Sequence, residues 1–282
     1  MAAGREKLRH AGIADDEAAL DARLLAQWLL GWDAARFLTS AEEEPRATFQ
    51  PAYDRFIERR VQREPMAYLY GGQEFYGRMF EVTSAVLIPR PETEIIVEAA
   101  LQRFPDDRAV LQIADIGTGS GCLAVTLAKE RPAARVLATD ISKAGFLVAQ
   151  QNANRYGVED RIVFAFGDLL ADASQTPFTL FDLIVSNPPY VPDGERAALQ
   201  PEVRDFEPAE ALFAGPDGLD VIKRMIPAAA ARLKNGGSLI FEIGVGQDAA
   251  VGELISASAG LKMVGLRNDL QGIPRTVVAE RV

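Results

Sequence analysis

Apolar positions change their spacing twice along the chain, and the changes mark out its parts. Near the start, Leu20, Leu24, Leu25, Trp28 and Leu29 fall at i, i+4, i+5, i+8 and i+9, one face of a helix that Gly31 can close. Tyr53, Phe56, Ile57 and Val61 form a second such face, so residues 1–62 predict two or three short helices in a small bundle. From Glu74 to Val82 aromatic and β-branched residues flank Gly77, the pattern of a β-hairpin. Pro91 suits a first helical position, and the helix it opens is expected to reach Phe104. Beyond Ala109 short apolar runs alternate with turns and amphipathic stretches, the rhythm of a sheet whose strands are joined by helices. Residues 110–116 predict a strand, 117–121 a tight turn, and 122–129 the start of a helix that Pro132 ends. Strands are expected again at 135–139, 161–166, 181–185 and 238–243. Ser142 should cap a helix ending near Tyr156, residues 218–233 read as another helix, and Asn235-Gly236-Gly237 as a turn. The stretches 261–266 and 275–280 can pair as a closing antiparallel hairpin.

Composition narrows what such a molecule does. A chain of 282 residues, 48% hydrophobic, can bury a large core and is expected to hold two domains. A formal net charge of -10 argues against a protein that lives on a nucleic-acid backbone, and no direct nucleic-acid binding is expected. The single cysteine, Cys122, excludes an internal disulfide framework and a multi-cysteine zinc site. With His10 the sole histidine, neither a metal site nor histidine-based catalysis is expected. Cys122 reads as a small packing residue at a helix start and His10 as a solvated one. No signal peptide and no membrane-spanning apolar run show, so a cytoplasmic, monomeric protein is expected.

The candidate chemistry collects where predicted strands end. Ser186-Asn187-Pro188-Pro189-Tyr190 follows the run 181–185, and two prolines cannot continue a ladder, so the chain must turn out of the sheet. That turn sets an amide, rigid carbonyls and an aromatic ring at a carboxyl end, where open α/β sheets keep their ligands. Gly117-Thr118-Gly119-Ser120-Gly121 forms a turn whose glycines admit a ligand close to the backbone. Asp140, ending the next strand, is placed to accept hydrogen bonds from ribose hydroxyls. The missing third glycine of the dinucleotide fingerprint favours S-adenosyl-L-methionine over NAD. At the following strand end Asp168 could accept an adenine amino group, with Leu169 packed beside it; a turn cap is the other reading of Asp168. Arg90 and Glu92, between prolines, form either a ligand contact or a structural salt bridge.

These residues carry a resemblance. Residues 115–121 with Asp140 resemble the Rossmann-like class I S-adenosylmethionine-dependent methyltransferases, whose seven-stranded mixed sheet the pattern above matches. Asn187-Pro188-Pro189-Tyr190 is similar to the turn of those that methylate planar nitrogens, which include DNA adenine and glutamine methyltransferases. Further stretches at 65–69, 74–77, 88–94, 202–208, 215–219 and 242–244 look like the release factor glutamine methyltransferases of the PrmC or HemK family. The run from Arg90 to Glu94 favours that branch over relatives that methylate a ribosomal protein.

The resemblance implies an N-terminal substrate-recognition domain over 1–62, a hairpin linker over 63–90 and a methyltransferase domain over 91–282. It implies S-adenosyl-L-methionine as cofactor, S-adenosyl-L-homocysteine as product and peptide chain release factors as partners. Gly117, Thr118, Gly119, Ser120, Gly121, Asp140, Asp168, Leu169 and Asn187 would hold the cofactor. Asn187, Pro188, Pro189 and Tyr190 would align the glutamine amide for reaction, with Arg90 and Glu92 also toward the substrate. A DNA adenine methyltransferase, a ribosomal-protein methyltransferase and a catalytically silent release-factor binder remain the alternatives, and a structural cap that of the helical start. Gly71-Gly72-Gln73 repeats the tripeptide this family methylates, in a stretch leading into a predicted strand.

Overall fold

The computed structural model describes residues 1–39, 46–170 and 176–282. Residues 40–45, part of the helical span expected over 1–62, lie outside the described residues. The chain runs through α1 (Ala2–His10), α2 (Asp15–Leu30), α3 (Ala34–Thr39), α4 (Phe49–Val61) and α5 (Met66–Tyr70) into β1 (Gly72–Phe75) and β2 (Arg78–Glu81). There follow α6 (Glu94–Arg103), β3 (Gln112–Ile116), α7 (Cys122–Glu130), β4 (Arg135–Asp140), α8 (Lys143–Arg155), β5 (Ile162–Phe166) and β6 (Phe181–Ser186). After β6 come α9 (Pro201–Phe206), α10 (Asp220–Ala230), β7 (Leu233–Glu242), α11 (Asp248–Ala257), β8 (Leu261–Asn268) and β9 (Pro274–Arg281). Two compact units result, Met1–Gly72 with Gln200–Phe206, and Gln73–Leu199 with Glu207–Val282. Among the described residues no helix is long and apolar enough to cross a membrane.

The first unit packs Leu8, Leu25, Tyr53, Phe56 and Ile57 with the alanines of α2. Gly31 closes α2 in the left-handed conformation, as its sequence position predicts. The buried face differs from the expected one. Ala18, Ala22, Leu25 and Ala26 point inward, while Leu20 and Trp28 remain 43% and 46% exposed. Small residues let neighbouring helices approach closely, so the alanine stripe takes the inside. Trp28 instead covers Phe56 and Tyr70 at ring-centroid distances of 5.2 and 5.6 Å. Among the described residues, 1–62 hold four helices rather than the expected two or three, because hydrophobic spacing does not reveal a segment as short as α3. The unit's buried cation is Arg60, which donates to Asp21 at 2.7 Å, Glu17 at 2.9 Å and Glu202 at 2.6 Å.

In the second unit seven strands form one mixed sheet in the order β5-β4-β3-β6-β7-β9-β8. The first five are parallel, and β9 enters antiparallel between β7 and β8. Both faces are covered. Residues of α6 and α7 such as Val97 and Val125 pack on one, and Ile222, Ile226 and Ile255 of α10 and α11 on the other. This two-sided burial explains the continuous apolar runs in the central strands. The hairpin β1–β2 turns at Tyr76 and Gly77, both at positive φ (50° and 71°), the geometry that matches strand twist. Gln73 lies in β1, where its amide donates to the Glu74 carbonyl at 3.2 Å.

Two expectations need correction. Asn235-Gly236-Gly237 is no separate turn; it bulges within β7, where the pairing jumps from Phe181 with Leu233 to Leu183 with Ser238. Gly236 takes the positive φ of 76° that this bulge requires. Residues 91–104 also form two pieces, a 3₁₀ turn over Pro91–Thr93 and then α6. Ser142 caps α8 as expected, accepting from the Gly145 amide at 3.2 Å.

Candidate active site

From β3 the sheet grows outward in both directions, to β4 and β5 on one side and to β6 and β7 on the other. Chain crossovers therefore leave to opposite faces between β3 and β6, and a crevice opens at the carboxyl ends of these strands. The register aligns Ile116 with Ser186, and the Ser186 hydroxyl donates to the Ile116 carbonyl at 2.8 Å. Two turns far apart in sequence thus start side by side. Gly117, Thr118, Gly119 and Ser120 line the resulting cleft from β3, and Asp140 from β4. Asp168 and Leu169 line it beyond β5, and Asn187, Pro188 and Pro189 after β6.

The glycine turn is held from beneath. Buried Asp115 accepts the Thr118 hydroxyl at 2.6 Å and the Ala124 amide at 3.1 Å, tying the turn to the first residues of α7. Burial pushes the Asp115 carboxyl up to about 7 against these two hydrogen bonds. Gly117 and Gly119 adopt positive φ, 71° and 54°. A Cβ on Gly117 would meet no atom within 4 Å, and one on Gly119 only a carbonyl at 4.0 Å, so side chains here would project into open space. Gly121 is constrained differently: a Cβ there would stand 3.2 Å from the Ala149 backbone, and Gly121 itself is not among the cleft-lining residues.

Asp140 accepts the Gly119 amide at 2.8 Å through one oxygen and the Ser142 amide at 2.7 Å through the other. Each carboxylate oxygen has a second lone pair, so it can still accept two hydroxyls. Burial raises its pKa while the backbone donors Ser142, Gly119 and Ile141 pull it down. A bare backbone cradle beside a carboxylate fits an adenosine-bearing ligand with a short linear tail. Asp168 is half exposed and ion-paired with Arg224, another cleft-lining side chain. Cys122 reaches the cleft wall, and burial pushes its thiol up to about 12.

The Asn187 side chain donates from its amide nitrogen to the Thr93 hydroxyl at 2.9 Å. Thr93 in turn donates to Glu242 at 2.7 Å, and the Tyr190 hydroxyl donates to the other Glu242 oxygen at 3.0 Å. Glu242 is buried at the end of β7, which raises its pKa, while Thr93, Tyr190 and the Arg275 charge oppose the rise. Burial, then the Glu242 charge, pushes the Tyr190 phenol up, so it stays a donor. Behind the turn Gln247 donates to the Tyr190 carbonyl at 3.0 Å.

Not every predicted site residue meets the cleft. Arg90 pairs with buried Glu207, whose other oxygen accepts the Ile88 amide at 3.1 Å. Arg90, Glu92 and Tyr190 are absent from the cleft lining, whereas Pro89 and Thr93 belong to it. Sequence reasoning assigned no role to Thr93, Glu242, Glu207 or Gln247. The first three stood inside the stretches that carried the resemblance, which was the available signal.

Comparison with known proteins gives the chain's relatives. The description PrmC N-terminal domain fits residues 1–71, and Methyltransferase small domain fits residues 93–203. The chain is 44% identical to the release factor glutamine methyltransferase of Koribacter versatilis, covering 97% of this chain and 95% of that one. It is 42% identical to the release factor glutamine methyltransferase of Geobacter sulfurreducens, covering 91% and 89%. Among solved structures it resembles the ribosomal protein L11 methylase of Lactobacillus delbrueckii with a TM-score of 0.51 and 24% identity, over 68% of this chain and 80% of that one. The last likeness concerns the fold.

Proposed function

The chain belongs to the release factor glutamine methyltransferases, and from that premise we propose that it methylates the side-chain amide nitrogen of the glutamine in the Gly-Gly-Gln motif of peptide chain release factors. The observation that carries this reading is the pairing of Ile116 with Ser186, which sets the glycine turn beside Asn187-Pro188-Pro189-Tyr190. Bound S-adenosyl-L-methionine supplies a sulfonium methyl, so that a nitrogen–carbon bond forms as the carbon–sulfur bond breaks and S-adenosyl-L-homocysteine leaves. Gly117 to Ser120 would receive the cofactor's methionine part, Asp140 its ribose, and Asp168 with Leu169 its adenine, while Gly121 closes the turn against Ala149.

A glutamine amide is a poor nucleophile because its lone pair is delocalised into the carbonyl. The chain's task is therefore alignment and stabilisation of charge developing on nitrogen. The Asn187 side-chain oxygen and the Pro188 carbonyl accept the two amide N–H bonds, and both strengthen as the nitrogen becomes positive. Pro189 holds the turn, and Tyr190, outside the cleft lining, anchors its far end through the hydroxyl bond to Glu242 rather than stacking on the amide plane. The proton leaves to water after transfer, so no side-chain base is needed. Arg90, through Glu207, shapes the loop on which Pro89 and Thr93 stand, and Glu92 on the same loop would contact the protein substrate. The helical unit serves substrate recognition. A net charge of -10 supports a protein substrate over nucleic acid. The reading is of a cytoplasmic enzyme acting as a monomer.

The test is mass spectrometry of a purified release factor after incubation with enzyme and S-adenosyl-L-methionine. A gain of one methyl on the loop glutamine is expected, and it is lost when that glutamine is replaced. An unmodified factor would overturn the reading. Asn187→Ala should remove most of the rate while cofactor binding persists.

A further inference from the structure

We infer that Thr93 and Glu242 are positioning residues that fix which end of the Asn187 amide faces the substrate. This inference rests on the proposed alignment of a glutamine amide by Asn187. An Asn side chain has a donor end and an acceptor end of almost the same shape, and an incoming primary amide nitrogen brings only N–H groups. Turned the wrong way, Asn187 would oppose donors with donors.

Direction along the chain of bonds decides. Glu242 accepts at both oxygens, from the Thr93 hydroxyl at 2.7 Å and from the Tyr190 hydroxyl at 3.0 Å. Thr93 has one hydroxyl proton, and it is spent on Glu242. Its oxygen is therefore left as an acceptor, and Asn187 meets it with its amide nitrogen at 2.9 Å. The Asn187 oxygen is then the end left for the cleft. Thr93 is 1% exposed and Glu242 is 1% exposed, so water does not compete for these partners. The same carboxyl group holds the Tyr190 hydroxyl, so one side chain registers both ends of the Asn-Pro-Pro-Tyr turn. The strand end that supplies Glu242 lies next to the one that supplies Asn187, with Ser186 paired to Phe241.

The inference separates from plain packing through Thr93→Val, which keeps the shape and removes the hydroxyl, and Thr93→Ser, which keeps the hydroxyl. Methyl transfer to the release factor should fall roughly 10- to 100-fold in kcat for Thr93→Val, the loss of one charge-assisted hydrogen bond. Cofactor affinity by calorimetry should stay unchanged, and Thr93→Ser should recover most of the rate. In an Asn187→Ala background Thr93→Val should cost nothing further, because the two act as one unit. Equal losses in Val and Ser variants, or full additivity with Asn187→Ala, would overturn the inference. A parent enzyme inert on release factors would instead count against the proposed substrate. In that event the relay is read from the Asn187 side-chain amide resonances of the ¹⁵N-labelled full chain. Thr93→Val should shift and deprotect one of the two protons, and unchanged resonances would sink the relay.

Discussion

Gly218→Ala is a test of how tightly the Asn-Pro-Pro-Tyr turn is gripped from behind. Gly218 sits at φ 71°, and a Cβ there would stand 2.1 Å from the Tyr190 carbonyl oxygen and 2.8 Å from the Gln247 amide nitrogen. The left-handed conformation alone costs an alanine about 1–2 kcal/mol. Restoring an ordinary contact needs a shift on the order of 1 Å in a main-chain oxygen, a strain of about 1–3 kcal/mol. Such a shift also breaks the 3.0 Å bond from Gln247 to that oxygen, worth about 1 kcal/mol. Together these predict a loss of roughly 3–6 kcal/mol, or a fall of roughly 6–24 °C in Tm for a domain of this size. The control is Gly236→Ala, at φ 76° with nothing within 4 Å, which should cost only the conformational part. Scanning calorimetry on both variants measures the difference. Methyl transfer below the new Tm should fall for Gly218→Ala alone, since only that change displaces the turn. Equal destabilisation of the two would refute the reasoning, because it would mean that the turn yields without cost.

Other consequences can be measured separately. Asp140→Ala should weaken S-adenosyl-L-methionine binding about 100-fold, the loss of charge-assisted bonds to hydroxyls; calorimetric affinity within threefold of the parent would remove the ribose assignment. Arg60→Met should cost about 3–5 kcal/mol in urea denaturation, because it leaves buried Asp21 without its partner. Burial raises the Glu202 carboxyl, but hydrogen bonds from Arg60 and Arg63 outweigh it and hold it below its ordinary value. A depressed folded pKa gives stability that is present above the unfolded value and lost as pH falls through the folded one. The helical unit should therefore weaken below about pH 5, and Glu202→Gln should show a shallower acid loss in circular dichroism melts. With its thiol pushed up to about 12, Cys122 should resist alkylation at neutral pH in the native protein and react in urea; equal rates would contradict that rise.

What the sequence made legible is what neighbours in the chain decide. Gly31 after an apolar helical face, Tyr76-Gly77 between short strands, and Ser142 before α8 each set their local geometry, and each lies where its chemistry predicts. The strand ends were legible for the same reason, since two prolines after 181–185 leave the ladder no donor. The inward face of α2 was not. Its alanines carry little hydrophobic signal, and only the closeness of the helices around them makes them the buried choice. The glycines of 235–237 read as a turn because their bulge is defined by β6, a separate strand.

The site divides along the same line. Gly117 to Gly121, Asp140 and Asn187 are legible in the sequence because each stands at or just beyond the end of its own strand. The orientation of Asn187 cannot, since Thr93 lies 94 residues before it. Glu242, 149 residues beyond Thr93, sits where only the adjacency of β6 and β7 can place it. In the sequence Glu242 is simply a polar residue within the strand expected at 238–243. In the fold it becomes the acceptor that decides every donor between itself and the cleft. In the proposed reaction the Asn-Pro-Pro-Tyr turn would supply the groups that meet a planar nitrogen; the choice of which atom meets it would belong to the sheet.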